Sequence, residues 1–97
     1  MIYVEELKVD NKMVLGVKVD LPNSPPLLLI VGNKGFLMCG FLNVDVAERA
    51  GATAVMVIGV KDFSGVLNAK VKAVTSKALA LGVKPEMRGK EAVSLIA

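Results

Sequence analysis

Cys39 is the only cysteine of the chain, and histidine is absent. A thiol at the end of a strand, a few residues ahead of a helix and near a lysine, can have its pKa lowered toward reactivity. That makes Cys39 the one candidate nucleophile for a thiol-dependent enzyme, with Lys34, Lys61 or a carboxylate as the only available general base. The bland alternative is a small apolar filler between Met38 and Gly40, the commonest fate of a free cysteine. The same two counts exclude a Ser/His/Asp triad, a Cys/His pair, a zinc finger and an intrachain disulfide.

The second constellation is Gly40, Asn43, Lys61, Asp62 and Ser64. If the strands ending near Cys39 and near Gly59 run parallel, their carboxyl ends lie side by side, where open α/β arrangements place ligands. Helices starting near Val44 and Ser64 aim amides at that edge and Lys61 adds a positive charge, so a small anionic metabolite is the expected guest. The competing reading is that Asn43, Asp62 and Ser64 simply cap those helices. Gly32-Asn33-Lys34-Gly35 lacks the spacing and the following helix of a phosphate loop and reads as a hairpin turn. Acidic residues are scattered, and adjacent Glu5 and Glu6 face opposite sides of a strand, so neither metal nor cofactor is expected.

The elements that must position these residues follow from patterning. Residues 2 to 9 and 13 to 21 flank Asp10-Asn11-Lys12 as a first hairpin, and Met13, Leu15, Val17, Val19 and Leu21 alternate onto one greasy face. The loop Pro22-Asn23-Ser24-Pro25-Pro26 interrupts the pattern. Residues 27 to 31 and 36 to 41, apolar on both faces, form a second hairpin central in the sheet. A short helix over 44 to 50, capped by Asn43 and ended by Gly51, leads to a fifth strand over 53 to 60, giving a βαβ unit. Leu67, Val71, Val74, Ala78 and Leu81 step by four and three, which predicts a long helix closed by Gly82. Alternation of Val71 and Ala73 with Lys70 and Lys72 leaves a strand over 69 to 74 open as the competing assignment. A terminal helix over 90 to 96 turns Ala92, Val93 and Ile96 inward. The expected fold is one α+β domain over residues 1 to 97: two hairpins, a short helix, a fifth strand and two helices packed on the sheet.

The chain has 97 residues, of which 54% are hydrophobic and 22% charged, with a net charge of +3. A domain of this size cannot hide so much apolar surface, so a homo-oligomer is expected, with the first hairpin (residues 1 to 21) as its association region and residues 27 to 97 as the core. No apolar run approaches the roughly 20 residues of a membrane span. The N-terminus lacks a signal-peptide pattern and the lone thiol suits a reducing compartment, so the expected location is cytoplasmic. Lys70, Lys72 and Lys77 flank both sides of the expected helix stripe, and the chain has one tyrosine, three phenylalanines and no tryptophan. Nucleic-acid binding is therefore not expected.

Four segments, taken together, resemble a family. They are Gly35-Phe36-Leu37-Met38-Cys39-Gly40-Phe41-Leu42-Asn43, Gly59-Val60-Lys61-Asp62-Phe63, Leu67-Asn68-Ala69-Lys70-Val71 and Met87-Arg88-Gly89-Lys90-Glu91-Ala92. In order and spacing they resemble the YunC-like proteins, a small bacterial and archaeal family of unknown function. The resemblance spans roughly residues 27 to 95, and its most specific piece is 34 to 43. It implies an α+β fold whose N-terminal β region mediates tetramer formation, and it implies no activity. Gly65 stands where the family has a better helix former, and Arg88 where a small hydroxyl residue would cap the last helix.

Overall fold

The computed structural model describes residues 1–97 as six strands and four helices. β1 (Ile2–Val9) and β2 (Lys12–Val19) pair around Asp10 and Asn11, whose φ angles are 52° and 63°. Two successive positive φ values are what a two-residue turn needs to follow the strand twist, and Asp and Asn tolerate them better than other side chains. β3 (Leu27–Val31) and β4 (Phe36–Met38) form the second hairpin, and α1 (Val44–Arg49) leads to β5 (Ala54–Met56), parallel to β4. α2 (Phe63–Asn68), β6 (Ala73–Val74), α3 (Ser76–Ala80) and α4 (Gly89–Ile96) complete the chain. The sheet order is β1-β2-β3-β4-β5-β6, which makes β3 and β4 central. The fold is α+β, and no helix is long and apolar enough to cross a membrane.

The long helix expected from Leu67 to Leu81 is replaced by the end of α2, then β6, then α3. Ala69 leaves the helix at φ −71°, ψ 153°. Lys72 N–H then donates to Met56 O and Thr75 N–H to Ala54 O, so the edge of β5 takes the amides a helix would have used internally. Thr75 is fully buried, and its Oγ1 accepts from Ala54 N at 3.0 Å, pinning the strand. Lys70, Lys72 and Lys77 therefore share no helix. Two strands are also shorter than their apolar runs. The run 36 to 41 ends at Met38 because Leu42 N–H turns back to Cys39 O, and the run 53 to 60 breaks before Gly59, whose φ is 73°.

The sheet has two apolar sides. On the inner side Val14, Leu28, Ile30, Leu37 and Val55 meet Val66, Ala92, Val93 and Ile96 of α2 and α4 in one core. Gly16 faces inward too, and a Cβ there would lie 2.8 Å from the Phe63 ring, so this glycine makes room for α2. The outer side is carried by the alternate residues: Val4 lies opposite Val17, Val17 opposite Leu29, and Leu15 opposite Val31. Near β5, beside which α1 packs, outward Met38 and Ala54 are closed off, at 1% and 0% exposure. Over β1–β3 nothing covers it: Ile2, Val4, Met13, Leu15 and Val31 are exposed by 66, 60, 52, 39 and 39%. The greasy alternation of β2 thus points away from the core, and Val14 with Gly16 points into it.

α4 ends against both hairpin turns. Lys34 N–H donates to Ile96 O at 2.9 Å, Lys12 Nζ to Ser94 O at 2.8 Å, and Ser94 Oγ to Asp10 Oδ2 at 2.8 Å. At its other end Gly89 N–H donates to Ala69 O, and a Cβ on Gly89 would collide with the Val66 carbonyl.

Candidate functional site

Parallel pairing sets the carboxyl ends of β4 and β5 side by side. β3 runs antiparallel to β4 and therefore begins at that same end, which brings the proline loop before it to the site. The result is a cleft of about 320 Å³ between Cys39, Gly40 and Phe41 after β4, and Gly59, Val60 and Lys61 after β5. Pro25 and Pro26 supply a further wall. The volume lies at the lower end of the ~300–1,000 Å³ usual for small-molecule sites.

Cys39 is buried, and its place in the ladder is specific. Its N–H donates to Leu28 O at 3.1 Å, while Leu28 N–H donates to its Sγ at 3.3 Å. The sulfur thus takes an amide that would otherwise lie buried without an acceptor, which gives it a structural task at the edge of the cleft. Of the bases considered for it, Lys61 shares the cleft. Lys34 sits in the turn at the other end of β4.

The sequence-derived set divides in two. Cys39, Gly40 and Lys61 are brought together on the cleft. Asn43, Asp62 and Ser64 are not on its wall, and each is engaged locally. Asn43 Oδ1 accepts from Asp45 N at 2.8 Å and Val46 N at 3.3 Å, and Asp62 Oδ1 accepts from Gly65 N at 2.7 Å. The Ser64 carbonyl accepts from Asn68 Nδ2 at 2.9 Å. Gly65 is thereby part of a working cap. Arg88, the other departure from the family pattern, has its N–H accepted by Glu91 Oε1 at 3.0 Å and sends Nη1 to Asn68 O at 2.8 Å.

Sequence reasoning did not assign Pro25, Pro26, Phe41, Gly59 and Val60 to the site. The available signal was the pairing of the apolar runs: once residues 27 to 31 and 36 to 41 form a hairpin, the prolines must abut the end of the second strand. A larger concavity of about 550 Å³ lies beside Asp10, Lys90, Glu91 and Ser94. Its polar groups hold the fold together, Ser94 bonding Asp10 and Glu91 the Arg88 amide, and it carries a mixture of charges. The smaller cleft, with one cation on an apolar wall, is the better candidate for a ligand.

Glu48 makes the one clear electrostatic perturbation. Its Oε2 accepts from Ser76 Oγ at 2.7 Å and its Oε1 from Ser76 N at 2.8 Å, so α1 caps α3 from outside. The Ser76 hydroxyl, then its amide, then the nearby Lys77 charge hold the carboxyl below its ordinary value.

A family model described as "Domain of unknown function (DUF1805)" matches residues 38–96. The uncharacterized protein YunC of Bacillus subtilis (strain 168) is 28% identical over 97 residues, covering 96% of this chain and 95% of that protein. A crystal structure of TA1206, a protein of unknown function from Thermoplasma acidophilum, superposes with a TM-score of 0.93 at 33% identity, covering 100% of this chain and 94% of that one.

Proposed function

Because the chain belongs to the DUF1805 family, whose function is unknown, we propose its role from its own geometry: a homo-oligomeric binding module for a small anionic metabolite. The observation that carries the association half is the outer sheet face, where five large apolar side chains of β1–β3 stay between 39 and 66% exposed. A contiguous patch of that kind on so small a domain is characteristic of a surface that another chain covers. The tetramer implied by the YunC-like resemblance is the assembly proposed, with the first hairpin at its interface. The binding half is supported by the cleft and its single cation, Lys61. The cytoplasm is the proposed compartment, which suits one unpaired thiol.

Sedimentation velocity over a wide concentration range tests the association. An oligomer larger than a dimer is expected, and a monomer throughout overturns the proposal. A thermal-shift screen against anionic metabolites tests the binding, since a ligand that prefers the folded state raises the melting temperature. A screen without a single stabilising anion removes that half and favours a purely structural subunit.

A further inference from the structure

The inference rests on the binding reading above and narrows its ligand class. At the two helix starts Asn43 takes the Asp45 and Val46 amides and Asp62 takes the Gly65 amide, which leaves Lys61 as the one charged group on the cleft wall. A doubly charged oxyanion would meet one lysine, a single positive charge for its two negative ones. Asp62, next to that lysine in sequence, adds a negative charge that opposes a second one on the ligand. What the cleft offers in quantity is apolar surface. Phe41 is 52% exposed although it lines the cleft with Pro25, Pro26 and Val60. At Gly59, where φ is 73°, no atom other than those of the glycine and its two chain neighbours lies within 4 Å of the position a Cβ would occupy, so open space adjoins the backbone beside Lys61.

We infer that the cleft takes an amphipathic monoanion, a small carboxylic acid with an aromatic or short aliphatic body. The body lies on the prolines and Phe41, and the carboxylate meets Lys61 Nζ. One charge suffices because one cation is present, and the apolar body contributes through area removed from water.

Amide-resolved NMR titration of the full chain tests this with benzoate, benzyl alcohol as its neutral counterpart, and inorganic phosphate, on wild type and Lys61→Met. Benzoate is expected to shift the amides of Gly40, Phe41, Gly59 and Lys61 saturably. Lys61→Met, an exposed substitution that leaves the core intact, should weaken benzoate by about fivefold, the upper range for an exposed ion pair. Benzyl alcohol should bind wild type more weakly by a similar factor. Saturable phosphate binding at these amides without benzoate binding overturns the ligand class and leaves the small-anion reading standing. No shift with either anion overturns both. Equal binding of benzoate and benzyl alcohol, an unaffected Lys61→Met, or benzoate shifts confined to other amides overturns the inference.

Discussion

Replacing Leu15 by a charged residue separates association from folding. In the single chain Leu15 is 39% exposed and faces outward, so a charge there costs the core nothing. The exposed fractions of Ile2, Val4, Met13, Leu15 and Val31 together amount to about two and a half whole side chains. At ~1.5–3 kcal/mol per side chain, covering them contributes on the order of 4–8 kcal/mol per copy, and twice that across a two-fold interface. The opposing loss of rotational and translational freedom is ~4–15 kcal/mol. The two sides are comparable, so one contact decides the outcome. A carboxylate at position 15 in each copy adds a desolvation penalty of several kcal/mol per ion, enough to weaken association by about a thousandfold or more. Leu15→Asp also sits opposite Glu6 in the β1–β2 register, a small like-charge cost within the chain. Leu15→Lys faces the same glutamate favourably and serves as the matched control. Both variants should sediment as monomers while keeping the wild-type far-ultraviolet circular dichroism. The wild-type melting temperature should rise with protein concentration and theirs should not. Variants that sediment like the wild-type oligomer would place the interface elsewhere and refute the reasoning.

Cys39→Ala strips the Leu28 amide of its acceptor and should cost ~1–3 kcal/mol, read as a melting temperature several degrees lower, whereas Cys39→Ser keeps an acceptor and should lose less. Equal melting of the two variants contradicts a role for the sulfur as acceptor. Glu48 is held below its usual value of 4.5, so its contribution is complete above the ordinary carboxylate range and disappears as pH falls through the lowered value. Between about pH 5 and pH 3, wild type should therefore lose more melting temperature than Glu48→Gln; parallel curves speak against the cap. Gly89→Ala forces a methyl into the Val66 carbonyl and should destabilise by at least ~1–3 kcal/mol in chemical denaturation, with an unchanged midpoint as the contrary result.

The parts of the fold legible in the sequence are those decided locally. Asp10-Asn11 carries its turn in its own backbone preferences, Asn43 and Asp62 cap the helices they precede, and Gly51 closes α1 at φ 77°. The segment from Leu67 to Leu81 is not legible in this way, because its spacing satisfies a helix while its amides find better partners on β5 and opposite Arg88, a choice made by tertiary neighbours. The alternation of Lys70, Val71, Lys72 and Ala73 was the weaker signal, and the strand it suggests over 69 to 74 exists only at Ala73–Val74, with Lys70 in an isolated bridge to Arg88. On β2 the alternation was visible, but which face meets the helices was not: Gly16 looks like an absence in the sequence and is the seat of Phe63 in three dimensions. The candidate site was half legible for a similar reason. Cys39, Gly40 and Lys61 follow from the parallel pairing of β4 and β5, whereas Pro25 and Pro26 enter only through the start of an antiparallel neighbour.

The bonds from Ser94 and Ile96 to the turns at Asp10, Lys12 and Lys34 bear on biosynthesis. The hairpins emerge from the ribosome before the residues that lock their tips, which lie on α4. A nascent chain stopped short of Ser94 would have its strands without their fastening, and emergence of α4, not of the sheet, would set the moment at which the hairpins become locked.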